Sequence, residues 1–324
     1  MFIWAVCIDA PEFIFMKVDY LGGLIAAPFT PMLSDGSVNL VAIENYYQML
    51  KSNGVHAAFI CGSTGESASL TMAEKKAIAE TWASCTSADK NFKVISFLGG
   101  TCLEDCKELA LHANKIGLHA VALTSPFYFK PDNIKVIAEI CEEVAAVVPE
   151  MPFYYYHIPV LTGVNFPMID LLKEVDGKIS NFAGIKYSHE DFRDFQSCIN
   201  HNNRKFQMMW GRDENMLPAL SVGTKYFIGS TYNYAAPLYL KLMDAFKEGN
   251  LEEANSLQQK SIDMIRLLGK YSGIATGKAF MKMVGLDCGV CRLPNKNLSP
   301  NEQELLSKDV DKLAMADIFK INHD

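Results

Sequence analysis

Eight short apolar runs, separated by segments of helical period, recur from Leu24 onward and constrain the fold of this chain more than any other feature. They are LIAAPF at 24–29, AAFIC at 57–61, KVISFL at 93–98, AVALT at 120–124, PFYYY at 152–156, FAGIK at 182–186, FQMMW at 206–210 and KYFIG at 225–229. A continuous apolar run of this length between turn residues reads as a strand buried on both faces, as in a parallel sheet covered by helices. Between the runs, Ile134, Ile137, Ile140, Val144 and Val147 recur every three or four positions and give one apolar stripe to lay on a sheet. Thr71 with Glu74, Thr101 with Glu104, and Ser299 with Glu302 have the capping-box spacing, and Gly117 ends the helix before the fourth run. Eight strand–helix units with right-handed crossovers close into an α/β fold, the (β/α)8 TIM barrel, with a doubly wound open sheet as the alternative.

The segments near 251–270, 274–284 and 301–313 read as further helices, and no Pro/Gly/Ser-rich linker sets them apart. The expected division is an N-terminal extension of unassigned role over 1–21, a barrel over 22–250, and a C-terminal helical extension over 251–324 packed on the barrel. With 324 residues, 49% of them hydrophobic and 21% charged, the chain can bury one large core. A mean hydropathy of +0.06 argues against extensive disorder.

A formal charge of −7 with no long Lys/Arg cluster excludes nucleic acid as an expected partner. The apolar beginning lacks a basic flank and contains Asp9, Pro11 and Glu12, so export is not expected, and no run approaches the ~20 apolar residues of a membrane span. Nine cysteines, an odd number scattered without paired Cys-x-x-Cys spacing or adjacent histidines, read as reduced thiols of a cytoplasmic protein rather than disulfides or a zinc site. No metal or cofactor is expected.

In a barrel the reactive groups lie at the C-terminal ends of the strands. The second run is followed by Gly62-Ser63-Thr64-Gly65-Glu66, in which flanking glycines let hydroxyls and N–H groups turn toward an anion such as a carboxylate. An ordinary βα turn has the same composition. Lys186 closes the sixth run, whereas Lys93 and Lys225 open theirs. A lysine at the barrel mouth is partly desolvated, which lowers its pKa and frees an amine to attack a ketone. Alternation puts Tyr154 and Tyr156 on one face of the fifth run, with Tyr156 nearest the mouth, where a phenol can relay a proton; aromatic packing is the other use. Gly211-Arg212-Asp213-Glu214 and Gly229-Ser230-Thr231 end the last two runs. Their carboxylates and hydroxyls suit a polyhydroxylated ligand, and the carboxylates also suit a helix N-terminus.

In this order on eight strands, GSTGE, the Y-x-I-P from Tyr156 to Pro159, and Gly184-Ile185-Lys186 resemble the dihydrodipicolinate synthase and N-acetylneuraminate lyase family of class I, pyruvate-handling aldolases. The resemblance runs from about Gly22 to Pro294, and PFYYYHIPVLTGV, GIKYS and GSTYNY are most similar to its animal lyase branch. It implies reversible cleavage of N-acetylneuraminate to N-acetylmannosamine and pyruvate, without a cofactor. By the same resemblance Lys186 forms the imine, Tyr156 relays protons, Ser63 and Thr64 hold the pyruvate carboxylate, and Ser188, Gly211, Asp213, Glu214 and Ser230 meet the sugar chain. Small molecules are then the partners and a homotetramer the assembly, in which Tyr128 reaches across a subunit interface. The synthase branch carries an arginine after the proline that follows its fifth strand; here Val160, Leu161, Thr162 and Gly163 follow Pro159, which favours a neutral sugar aldehyde over an anionic one. The alternatives are dihydrodipicolinate synthase or another pyruvate aldolase, and a non-catalytic barrel that binds sialic acid.

Overall fold

The structure is a computed structural model that describes residues 21–313. All eight expected runs are strands: β1 (Gly23–Ala26), β2 (Ala57–Ile60), β3 (Lys93–Gly99), β4 (Ala120–Thr124), β5 (Phe153–His157), β6 (Phe182–Tyr187), β7 (Gln207–Trp210) and β8 (Tyr226–Gly229). They pair in parallel in sequence order, and β1 pairs with β8, so the sheet closes and the open-sheet alternative falls. Closure leaves no strand edge to solvent.

The helices between and after the strands are α1 (Ala42–Ser52), α2 (Met72–Thr86), α3 (Leu103–Lys115), α4 (Ile134–Ala145), α5 (Pro159–Thr162), α6 (Met168–Val175), α7 (Phe192–Asn200), α8 (Met216–Ser221) and α9 (Tyr232–Lys247). Beyond the last strand unit follow α10 (Leu251–Lys270), α11 (Gly273–Met283) and α12 (Pro300–Lys312). The expected N-terminal extension lies outside the described residues apart from Leu21, as does everything after residue 313.

Local sequence explains several of the helix ends. The capping boxes at Thr71 and Ser299 both form, each side chain accepting the N3 backbone N–H while the glutamate bonds back. The third expected box does not form, because α3 begins at Leu103 with Cys102 as its cap and Glu104 therefore occupies the second helical position rather than the third. Gly117 sits at φ +76° after α3, and its N–H and that of Leu118 close on the carbonyls of Asn114 and Ala113. This is the left-handed termination that glycine permits. In α4 the stripe centres on fully buried Ile137 and Val144, while Ile134 and Ile140 are partly buried and Val147 falls beyond the helix.

The strands bury two separate sets of side chains. Ile25, Phe59, Ile95, Phe97, Tyr154, Tyr156, Met209 and Ile228 fill the barrel interior, whereas Tyr155, Ile185, Trp210 and Phe227 face the surrounding helices. Alternate residues thus serve different layers. The extension is tied to the barrel by Arg292, which bonds Glu74 with both terminal nitrogens and also donates to the carbonyls of Gly36 and Ser69.

The cysteines among the described residues are free. Cys288 and Cys291 have a Cys-x-x-Cys spacing, and burial pushes their thiols up to about 12 and about 11. Among the described residues, no group of three potential ligands is placed to hold a metal ion, and no helix is long and apolar enough to cross a membrane.

Candidate active site

The C-terminal ends of the strands surround a cavity of about 260 Å3 lined by Ser63, Thr64, Tyr156, Lys186, Ser188, Gly211, Asp213, Glu214 and Ser230. Nine of the ten residues singled out in the sequence therefore meet in one place. The tenth, Tyr128, is outside the lining, 76% exposed and packed edge-on against Phe129.

Lys186 reaches the cavity through an irregularity in β6. Phe153 pairs with Phe182, but the next residue, Tyr154, pairs with Gly184, so β6 gains one residue against β5. Before this shift Ala183 faces the interior; after it Ile185 faces the helices and Lys186 turns inward, opposite Tyr156. Gly184 makes the shift possible, since a Cβ there would collide with the backbone carbonyl of Gln207.

The ammonium position lies 4.0 Å from the ring centroids of both Phe59 and Tyr156. Lys186 is 3% exposed. Burial holds its pKa down at about 7, while the carboxylate of Asp213 pulls the other way. Tyr156 stands edge-on to Phe59 and Phe97, with centroids 5.6 and 5.7 Å away. Burial also raises the Tyr156 phenol, and hydrogen bonding from the Ser63 and Ser188 hydroxyls opposes that shift.

Asp213 and Glu214 open the helical turn that leads into α8, and Asp213 is also held by Thr231 at the N-cap of α9 and by the extension. Its Oδ2 accepts from the backbone N–H of Thr231 at 3.0 Å and from the Thr231 hydroxyl at 2.6 Å. The Thr231 hydroxyl also bonds Tyr239, at 2.6 Å, and Tyr239 bonds Ser261 of α10, at 2.8 Å. The Oδ1 atom of Asp213 is also buried, and hydrogen bonding from the Tyr232 hydroxyl favours the carboxylate. Burial raises Asp213 to about 6, against the bonds from Thr231. Two glycines make room for this corner. A Cβ on Gly229 would strike the Asp213 carboxylate, and one on Gly211 would strike the Ser188 hydroxyl, which donates to Gly211 O at 3.1 Å.

Several lining residues carry no local sequence signal. Ile265 and Leu268 of α10 form part of the wall, so the extension helps enclose the site. Val160 lines the cavity, whereas Leu161 is 60% exposed and outside the lining. Arg212 brings a guanidinium to the cavity, but it is held by Glu190 at 2.8 Å and Glu214 at 2.7 Å. Its charge is spent on carboxylates of the same chain.

Residues 20–313 match the profile of the Dihydrodipicolinate synthetase family. The N-acetylneuraminate lyase of Rattus norvegicus is 39% identical over 280 residues, spanning 85% of this chain and 87% of that protein. The solved structure of N-acetylneuraminate lyase (sialic acid aldolase) from Aliivibrio salmonicida has a TM-score of 0.88 at 34% identity, covering 94% of this chain and 99% of that one. A catalytic lysine mutant of Ruminococcus gnavus sialic acid aldolase has a TM-score of 0.85 at 25% identity, covering 91% of this chain and 96% of that one.

Proposed function

The chain belongs to the dihydrodipicolinate synthetase family, and on that premise we propose that it is a class I aldolase that reversibly cleaves N-acetylneuraminate to N-acetylmannosamine and pyruvate. The observation that carries this reading is Lys186: an amine brought to about 7 by burial, at the floor of a cavity whose walls carry hydroxyls and carboxylates. The neutral amine attacks C2 of the open-chain sugar acid, and loss of water leaves a protonated imine. The C4 hydroxyl gives up its proton through Tyr156 as the C3–C4 bond breaks, and the bonding electrons pass into the imine to give an enamine. N-acetylmannosamine departs as the aldehyde, C3 takes up a proton, and water releases pyruvate and the free amine. The protonated nitrogen is the electron sink.

Ser63 and Thr64 hold the keto-acid carboxylate in this reading, while Ser188, Gly211, Asp213, Glu214 and Ser230 address the sugar hydroxyls. An anionic aldehyde is disfavoured: the one guanidinium in the lining is already paired, and Asp213 and Glu214 repel a second carboxylate. We assign residues 22–250 to the barrel and the helices from 251 onward to its extension, residues 314–324 lying outside the described residues. The protein acts in the cytoplasm as a homotetramer, a reading supported by the free thiols among its described residues and by the exposed apolar Phe127, Tyr128 and Phe129. In the tetramer Tyr128 enters the proton-relay region of a neighbouring subunit.

Borohydride reduction in the presence of pyruvate tests the mechanism. The mass of reduced pyruvate should appear on the peptide that contains Lys186, and an active enzyme with its adduct elsewhere would refute the assignment.

A further inference from the structure

The loop that carries Ser63 and Thr64 ends in a buried charge. Glu66 and Lys278 form an ion pair at 2.9 Å, with side chains 0% and 3% exposed. Lys278 belongs to α11, so the pair joins the second strand's loop to the C-terminal extension. Its surroundings are equally specific. Lys278 Nζ donates to the carbonyl of Val290 at 2.6 Å, and the Glu66 carboxylate accepts the backbone N–H of Arg292 at 3.0 Å and the Asn295 amide at 3.3 Å.

The backbone of the loop needs an external hold. Cys61 and Glu66, on either side of Gly62-Ser63-Thr64-Gly65, both adopt positive φ, at 55° and 57°. Non-glycine residues occupy that region only where their surroundings impose it. Between them the chain folds back on itself, with Glu66 N–H bonded to Ser63 O at 3.1 Å and Ser67 N–H to Gly62 O at 3.2 Å. The rotation of Glu66 therefore sets where Ser63 and Thr64 point. A buried ion pair is a weak device for stability, because desolvation offsets much of its attraction, yet it fixes geometry closely.

We infer that Glu66 and Lys278 are positioning residues through which the C-terminal extension holds Ser63 and Thr64 in line with the keto-acid carboxylate. The inference rests on the reading of this loop as the carboxylate seat. Neither residue lines the cavity, so both act through the loop. A pair that only stabilised the fold would alter melting and leave substrate affinity untouched, whereas a positioning pair acts on one substrate half.

Pyruvate condensation with N-acetylmannosamine separates these cases in the full-length enzyme. Glu66→Gln and Lys278→Met should each raise KM for pyruvate about tenfold or more, with KM for N-acetylmannosamine changed by less than about twofold. The double variant leaves no lone charge buried, so its melting temperature should return toward that of the wild type while its pyruvate KM stays high. Where the single variants do not fold, the double variant decides. Lys278→Arg keeps the charge and should move pyruvate KM in the same direction by a smaller factor. Thr64→Val gauges the seat itself. A high pyruvate KM in Thr64→Val, with a folded double variant within about twofold of wild type, overturns the positioning role alone. Unchanged pyruvate KM in both overturns the carboxylate seat as well.

Discussion

Burial makes Lys186 costly to charge, and in the proposed mechanism that cost supplies a free amine near neutral pH. With its pKa at about 7, the free amine accumulates as pH rises through that value, so the rate of imine formation should climb on an acid limb centred there. The Asp213 carboxylate favours the ammonium, so Asp213→Asn should lower the lysine pKa further and move the limb to lower pH. The rate of borohydride trapping with pyruvate, followed against pH, reports this without depending on the sugar half; a limb that stays in place or moves upward would contradict it. Tyr156→Phe keeps the ring packed between Phe59 and Phe97 but removes the hydroxyl, and kcat should fall ~10²–10⁴-fold with folding intact. An unchanged kcat would return Tyr156 to a packing role.

At the scale of the element, the inward orientation of Lys186 depends on one extra residue in β6. Strict alternation from Ala183 would put Ile185 in the interior and Lys186 among the outer helices; the shift at Gly184 reverses this. Gly184→Ala forces a methyl group onto the Gln207 carbonyl, and the expected cost is roughly 3 kcal/mol together with loss of imine formation. A folded variant that still traps pyruvate at Lys186 would show that the phase of β6 does not need this glycine. The helix caps give a paired check. Thr71→Ala removes a formed box and should cost about 1 kcal/mol, read as a lower melting temperature. Thr101→Ala should leave melting unchanged, because α3 starts beyond Thr101.

For the whole molecule, the question is what covers the apolar surface outside the cavity. Phe127, Tyr128 and Phe129 are 45, 76 and 85% exposed, and Lys130 next to them lies against Gly163. Leu161, 60% exposed and outside the cavity lining, precedes Gly163 by two residues. In the proposed tetramer this patch forms an interface. Sedimentation equilibrium should give the mass of four chains for the wild type, and Phe129→Glu, which buries a charge in that interface, should give smaller species with lower kcat. A fully active monomeric wild type would remove Tyr128 from the proton relay.

The amino-acid sequence by itself determined the number and order of the strands, because each apolar run reports burial through its own neighbours and needs no distant partner. It also brought Lys186, Tyr156, the GSTG loop and the Asp213-Glu214 pair into consideration, since barrel topology converts the end of a strand into a position at the mouth. Only the tertiary structure decided which way Lys186 faces, because the phase of a strand is set by its register with β5 and β7 rather than by its own alternation. The same holds for Arg212, which pairs with Glu190 and Glu214, and for Ile265 and Leu268, which the fold of α10 brings to the cavity wall. It holds most of all for Glu66 and Lys278. Ion pairs between distant segments have no local pattern, and their partners are chosen only when the chain closes on itself.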